Sequence, residues 1–191
     1  MLQPQFIPFP TIETERLLLR RSRVEDVEEI FVLRSCPVIN KYSLRPLITE
    51  KKEALDFIQL IEDLVIQNMG ISWIITEKSK PKIAIGHIGI WKLFKEHYRG
   101  EIGYLLHNDF HGKGMMTEAM KAVIDYGFNT LQLHSIVACV SPFNLPSITV
   151  LERNNFIREG YFKDDFFAKG KFHDSIVYSL LNTEDEDVIR D

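Results

Sequence analysis

Two glycines and a lysine begin a stretch that otherwise has helical spacing, "NDFHGKGMMTEAM", residues 108–120. Gly112 and Gly114 lack a Cβ, so the backbone there can adopt conformations closed to other residues and a ligand can approach it closely. The first turn of a helix also leaves about four N–H groups without intrahelical partners, at the positive end of the helix dipole. With the cation of Lys113, these donors predict a site for an anion such as a pyrophosphate. The same pattern also fits a tight helix entry that binds nothing.

Two nucleotide-binding motifs contain similar glycines, and neither fits this turn well. A P-loop has four residues between its first glycine and a Gly-Lys-Ser/Thr, whereas Gly114 directly follows Lys113 here. A dinucleotide-binding turn needs a third glycine, yet Met115, Met116 and Thr117 follow. The P-loop interpretation therefore fails and the dinucleotide interpretation is weak.

Polar residues outside the turn could do acid-base chemistry. Glu101 lies in "GEIGYLLH", where strand alternation puts it on the same face as Gly103 and Leu105. It fits a general base, and it equally fits a strand-end carboxylate in solvent. Asn144 and Ser147 in "NLPS" could bind a ligand or cap the helix that starts there, and one residue could do both.

The elements that must position these residues alternate along the chain. Spacing predicts strands at residues 13–21, 71–77, 82–94, 99–107, 134–141, 156–167 and 171–181, and helices at 24–35, 50–69, 112–129 and 144–155. Ser22 is a candidate N-cap of the first helix. This order predicts a mixed α/β or α+β fold, with one mixed sheet and helices on both faces. The strand ending near Leu106, the helix from Gly112 and the strand from Ser135 form a β-α-β unit, whose two strands should be parallel.

Composition narrows the class of function. The chain has 191 residues and a formal net charge of −4, which argues against a protein that tracks nucleic-acid phosphates. No apolar run is long enough to span a membrane and no signal peptide is recognisable, so a cytoplasmic location is expected. Cys36 and Cys139 lack zinc-site spacing, so no metal is expected, and both cysteines are predicted to be reduced packing residues, Cys139 within a core strand. His87, inside an apolar strand, is more typical of a core residue than of a cleft.

Four segments in this order resemble the GNAT superfamily of acetyl-CoA-dependent N-acetyltransferases. They are "TERLLLR", "PVINKYSLRPLITEKKEALDFI", the glycine turn and "VSPFNLPSITVLERNNFIREG". The closest likeness is to the Rim-type branch, which acetylates the N-termini of ribosomal proteins and other amines. The resemblance implies one GNAT domain over residues 1–191, with 1–11 and 183–191 peripheral or frayed. It also implies a mostly antiparallel sheet of about seven strands with a central splayed parallel pair.

The resemblance further implies how acetyl-CoA is bound. The family signature Gln/Arg-x-x-Gly-x-Gly/Ala is represented here by His111 to Met116, and these two end residues depart from its pattern. Backbone amides of the turn would hold the CoA pyrophosphate, and the N–H of Leu105 or Leu106 would bind the acetyl oxygen. The cofactor-binding residues implied are Leu105, Leu106, His111, Gly112, Lys113, Gly114, Met115, Met116, Thr117 and Asn144.

The chemistry that the resemblance implies is direct attack of a primary amine on the acetyl thioester. Glu101 would be the base, acting directly or through water. Ser147 would protonate the thiolate, with water as a substitute, because Leu151 holds the position of the family's usual tyrosine. The absence of a covalent enzyme intermediate is expected because Cys139 is predicted to lie in the core and neither cysteine has a recognisable base. Tyr42 would line the acceptor site.

Two other classes of function stay open at this point. A catalytically silent CoA-binding or acyl-sensing module is compatible with the departures at His111, Met116 and Leu151. A nucleotide-binding protein could use the same turn. The expected partners are acetyl-CoA and an amine substrate, with no nucleic acid or membrane, and a homodimer is common in the Rim-type branch.

Overall fold

The computed structural model describes residues 1–182 and is built on an eight-stranded sheet. Its strands are β1 (Ile12–Glu13), β2 (Leu17–Arg20), β3 (Ile71–Glu77), β4 (Gly86–Phe94), β5 (Arg99–Leu106), β6 (Ser135–Val140), β7 (Ile157–Ala168) and β8 (Lys171–Leu181). Its main helices are α1 (Val27–Ser35), α2 (Lys51–Ile66), α3 (Met115–Asp125) and α4 (Leu145–Arg153). The strand order is β1-β2-β3-β4-β5-β6-β8-β7.

The sheet is mixed and mostly antiparallel, as predicted. Of its paired neighbours in the described residues, only β5 and β6 are parallel. The strand predicted over residues 13–21 is divided by a turn in which the Thr14 N–H donates to the carbonyl of Leu17 at 3.0 Å. This turn separates β1 from β2 and raises the number of strands from the predicted seven to eight.

The parallel pair separates after three residues. Its ladder runs Arg99↔Ser135, Gly100↔Ile136 and Glu101↔Val137. Beyond Glu101, β5 continues to Leu106 against β4, while β6 continues to Val140 against β8. The two strands therefore have a gap between their carboxyl ends, which is the splay that the family resemblance implies.

Helices cover both faces of the sheet, as predicted. On one face α1 and α2 enclose a core that contains Ile30, Leu33, Ala54, Ile58 and Ile74. On the other face α3 and α4 pack on a larger core, whose members include Ile88, Ile90, Ile102, Met116, Met120 and Leu151. Within residues 1–182, none of these helices has the length and apolar character of a membrane span.

Two local expectations are wrong. Ser22 does not cap the first helix, because its hydroxyl donates to Glu62 at 2.6 Å, while the Asp26 carboxylate accepts the N–H of Arg23 at 2.8 Å. Residues 1–11 are not peripheral, since Leu2 and Phe6 are buried in the larger core. The other segment expected to be frayed, 183–191, lies outside the described residues.

Candidate active site

The glycine turn delays the helix that the sequence predicts from residue 112. Gly112 and Gly114 have φ angles of +72° and +76°, in the left-handed region, and Gly114 is the N-cap of α3. A Cβ on Gly112 would meet nothing within 4 Å, so the backbone is open to a ligand. The first intrahelical bond is from the N–H of Glu118 to the carbonyl of Gly114, at 3.0 Å. The N–H groups of Gly114 to Thr117 therefore lack intrahelical acceptors, which suits an anion.

The residues that depart from the family signature are compatible with this cradle. His111 turns back toward the sheet, and its Nε2 lies 2.9 Å from the carbonyl oxygen of Leu106. Met116 is only 6% exposed and packs in the larger core, so its side chain leaves the anion site clear. Lys113 is exposed, with Nζ 5.6 Å from the ring of Phe110.

Arg16 is a site residue that the sequence analysis missed. Its guanidinium pairs with Glu118 of α3 at 2.7 Å, and its Nη1 donates to the carbonyl of Lys113 at 2.9 Å. Its Nη2 is 3.6 Å from the position of a Cβ on Gly114. A second cation is thus fixed beside the turn. The sequence signals were "TERLLLR" and "TEAM", but nothing in either segment indicates that the two meet.

Strand alternation decides which backbone amides face the gap. His107 donates its N–H to the carbonyl of Ile85 at 2.8 Å, so this residue bonds on the β4 side. The Leu105 carbonyl oxygen also lies on that side, against Gly86. Because backbone groups of successive strand residues point in opposite directions, those of Leu106 face the gap. Of the two donors considered, Leu106 is the one with suitable geometry.

The start of α4 borders the same gap. The Asn144 side-chain oxygen accepts the N–H of Ser147 at 3.2 Å and so caps the helix. Its amide nitrogen has no hydrogen-bond partner in the described chain and can still donate to a ligand. Tyr104, another residue that the sequence analysis missed, donates its hydroxyl to the Ser147 carbonyl at 3.2 Å. Leu151 is 1% exposed and belongs to the core.

Glu101 lines a cavity of about 310 Å³ at the root of the gap. Burial raises the pKa of this carboxyl group, and the nearby positive charges of Lys92, Arg99 and Arg45 oppose that shift. The cavity walls come from β4 to β8 and comprise Phe94, Arg99, Glu101, Val137, Ala138, Cys139, Phe162 and Val177. A carboxylate with a raised pKa in a cavity is a candidate acid-base group.

Cys139 does not lie in the core, contrary to the prediction. It is an exposed residue of the cavity wall, because Val137 and Cys139 alternate with the buried Ile136, Ala138 and Val140. Desolvation raises the pKa of the Cys139 thiol, the neighbouring Ser175 hydroxyl opposes that shift, and the charges of Asp165 and Glu101 raise the pKa further. The expectation that burial of Cys139 prevents a covalent intermediate is therefore wrong. Its raised pKa keeps the thiol protonated, and a protonated thiol is a weak nucleophile.

The α1–α2 link, residues 36–50, contacts the turn of the β7–β8 hairpin. Lys169, at the hairpin turn, donates its Nζ to the carbonyl of Ser43 at 3.0 Å. Tyr42 in the same link is half-buried, and the Lys41 ammonium lies 5.2 Å from the centroid of its ring. Tyr42 is not among the described residues that line the Glu101 cavity, so its role as a liner stays a prediction. No cluster of three potential metal ligands is found in the same range.

His87 lies on the face of the sheet that α1 and α2 cover, here called the acceptor face, and it is opposite Leu105 in the β4–β5 ladder. Its ring is 5.2 Å from that of Phe57, and its Nε2 is buried without a hydrogen-bond partner among the described residues. Burial, followed by the charges of Arg34 and Arg45, lowers the pKa of His87 to about 3. The imidazole is therefore neutral at physiological pH.

A splayed parallel pair, a glycine turn at a helix start and a carboxylate beside the gap are together the arrangement of an acetyltransferase. Residues 16–157 match the acetyltransferase (GNAT) domain, and the chain belongs to this family. The family resemblance drawn from the sequence is thereby confirmed. The protein is an acetyl-CoA-dependent N-acetyltransferase, with acetyl-CoA as its cosubstrate.

Relatives and solved structures agree with this assignment. An uncharacterized N-acetyltransferase p20 of Bacillus licheniformis is 38% identical over 174 residues, which are 91% of this chain and 97% of that protein. The [ribosomal protein uS5]-alanine N-acetyltransferase of Escherichia coli is 37% identical over 83 residues, 44% of this chain and 43% of that enzyme. The crystal structure of a GNAT acetyltransferase from Bacillus anthracis superposes with a TM-score of 0.80 at 29% identity, covering 90% of this chain and 98% of that one.

Proposed function

We propose that the enzyme transfers the acetyl group to a primary amine by direct attack, and that the acceptor is a protein N-terminal α-amine or a small-molecule amine. The observation that carries this proposal is the position of Glu101. It occupies the last paired position of the parallel strands, lines the cavity and adjoins the gap. A base at this point can reach an amine that enters the cavity while the thioester lies in the gap.

The residues that border the gap suit the cosubstrate. Backbone N–H groups from Gly112 to Thr117 would bind the pyrophosphate, with the positive charges of Lys113 and Arg16 beside them. The Leu106 N–H would donate to the acetyl oxygen and stabilise the charge that develops there. The free amide nitrogen of Asn144 would donate to the pantetheine.

Glu101 and Ser147 would carry the two proton transfers. The amine nitrogen forms a bond to the acetyl carbon, the carbon–sulfur bond breaks, and Glu101 accepts the proton that the nitrogen loses, directly or through water. The Ser147 hydroxyl, or a water in its place, donates a proton to the departing thiolate, and the serine regains its proton from solvent. An α-amine with a pKa near 7.8 is roughly a tenth neutral at pH 7, whereas a lysine is less than about one part in a thousand neutral. A carboxylate base therefore suits an α-amine better.

A panel of amines with acetyl-CoA tests this proposal. Thiol release and mass spectrometry of the products should show turnover of α-amines, including peptides with Ser or Ala N-termini. Glu101→Gln and Ser147→Ala should each lower kcat while CoA affinity is largely retained. Glu96→Gln, at an exposed site, is the matched control for the loss of a carboxylate. Wild-type turnover by both cleft variants would exclude the assigned roles.

The silent CoA-binding module has no support from the comparisons. Two of the three sequence departures that suggested it do not obstruct the glycine turn. His111 and Met116 leave the turn open, as described above. The panel still separates the two functions, because tight CoA binding without turnover of any amine would favour the module.

A further inference from the structure

Arg34 places a partly buried positive charge above the acceptor face. It lies in the last turn of α1, with its Cζ 4.0 Å from the ring centroid of Phe57 in α2. Its Nε is buried and has no hydrogen-bond partner in the described chain. Arg34 also forms no ion pair with a carboxylate of residues 1–182. A partly desolvated guanidinium without a carboxylate partner is available to bind an anion.

Arg45 brings a second unpaired guanidinium to the same face. It belongs to the α1–α2 link, and its Cζ lies 5.6 Å from the ring centroid of Trp91. The Trp91 indole in turn packs over Gly103, within 3.3 Å of the position a Cβ would take there. Like Arg34, Arg45 forms no ion pair in the part of the chain that the structure describes, although its charge acts on Glu101.

The two arginines stand above neighbouring positions of β5. Arg45 contacts Trp91, which packs over Gly103. Arg34 contacts Phe57, and the Phe57 ring contacts His87. His87 is opposite Leu105 in the β4–β5 ladder. Burial and then Arg45 lower the pKa of Arg34, so the two positive charges interact. Both lie toward the carboxyl end of β5 from Glu101, on the same face of the sheet.

The cavity where β5 and β6 separate holds a carboxylate, although Arg99 lines it as well. Glu101 lines the cavity there, and Asp165 of β7 accepts the Ser175 hydroxyl at 2.6 Å. Both carboxylates act on Cys139 in the cavity wall. The charge of Arg45 lowers the pKa of Glu101, so this guanidinium lies near the candidate base. Glu101 and the two arginines together complement a molecule that carries both an amine and an anionic group.

We propose that Arg34 and Arg45 recognise a carboxylate of the acceptor, so that the substrate is an amine that also carries a carboxylate group near the amine. The inference rests on the proposed function, because it uses Glu101 to position the amine. Guanidinium groups bind carboxylates in a planar, bidentate manner, and an unpaired pair of them repels a polyamine. The carboxylate belongs either to a free amino acid or to an acidic residue at a peptide N-terminus.

Two matched comparisons test the proposal. In the first, kcat/KM is measured with acetyl-CoA for peptides Asp-Ala-Ala-amide and Asn-Ala-Ala-amide, for a free amino acid and for spermidine. In the second, the CoA-bound protein is titrated with N-acetyl-alanine and with its carboxamide, which avoids any titrating amine. We expect at least a tenfold preference for the carboxylate form in one of the two sources. Arg45→Gln and Arg34→Gln should reduce that preference toward one, whereas Lys121→Gln, on exposed α3 surface, should preserve it.

Each outcome decides one of the two proposals. Turnover without a preference for carboxylates, or with spermidine as the best acceptor, overturns the carboxylate inference and leaves the proposed function standing. Carboxylate-dependent binding without turnover of any amine overturns the proposed function alone. Arg45 is exposed in a link, so Arg45→Gln should fold even if Arg34→Gln does not. A preference that persists in folded Arg45→Gln and Arg34→Gln contradicts the assignment of these residues.

Discussion

The hydroxyl of Tyr104 donates a hydrogen bond to the backbone carbonyl of Ser147, and so joins β5 to the first turn of α4. Burial raises the pKa of Tyr104 to about 12, which keeps the hydroxyl protonated and able to donate. This hydrogen bond lies beside the gap and holds the backbone of Ser147, the proposed proton donor. Tyr104 is therefore a candidate positioning residue for Ser147.

Removal of the Tyr104 hydroxyl should affect catalysis more than cofactor binding. Tyr104→Phe should reduce the free energy of unfolding by about 1 kcal/mol, the usual contribution of one hydrogen bond. It should also lower kcat by roughly tenfold, because small displacements of reacting groups are costly. Tyr126→Phe is the control, since no hydrogen bond of that hydroxyl is found in the described residues. Equal effects of the two substitutions on kcat would contradict a positioning role.

The left-handed backbone of Gly114 should be required for CoA affinity. Gly114→Ala should weaken CoA binding by about tenfold or more, because a non-glycine residue at positive φ costs roughly 1–2 kcal/mol and disturbs the N–H cradle. Isothermal titration with CoA measures the change. Gly170→Ala is the matched control, with a φ of +78° in the distant β7–β8 turn and open space around it. Comparable losses of affinity in both variants would exclude a local effect at the cradle.

The pH dependence of kcat should report Glu101. Burial raises the pKa of Glu101 above the ordinary value of 4.5, so this carboxylate is protonated, and lost as a base, at a higher pH than an ordinary carboxylate. The acid limb of the kcat profile should therefore have a midpoint above pH 4.5. Glu101→Gln should lower kcat by about 100-fold, within the usual range for a general base, and remove that acid limb. Profiles with a single α-amine peptide at saturation check this. An acid limb that is unchanged in the variant would assign it to another group.

His87 should make stability depend on pH between its two pKa values. Its pKa is about 3 in the folded protein and 6.5 ordinarily, so the unfolded chain binds the extra proton in this window and stability falls as the pH falls. Between pH 7 and pH 5 the loss should be about 2 kcal/mol. His87→Gln, compared by urea unfolding at both pH values, should lose correspondingly less. Parallel losses in the two proteins would show that His87 is not the cause.

Local features of the site follow from the sequence. Gly112 and Gly114 imply a left-handed turn at a helix start, because their effect depends on the backbone alone. Asn144 has the residue type and position of an N-cap, and it caps α4. The splay of β5 from β6 follows from the family resemblance, and its onset after Glu101 comes from the ladder.

Long-range contacts could not be predicted in the same way. Arg16 and Glu118 are far apart in the chain, and no local pattern shows that their side chains meet. Cys139 has an apolar setting in "SIVACV", which resembles a strand buried on both faces. Strand alternation predicts that Val137 and Cys139 share one face of β6. Only the fold shows that α1 and α2 do not cover β6 on this face, so that both residues line the cavity.

The gap between β5 and β6 also makes cofactor supply a matter of protein stability. Pantetheine bound as we propose would pair with the free edge of β5 at Leu106 like an additional strand of the sheet. Ligand that binds only the folded chain adds about 2.7 kcal/mol to the free energy of unfolding at 100 times its dissociation constant. A fall in the cell's acetyl-CoA would thus reduce both the rate of acetylation and the lifetime of the enzyme against proteolysis.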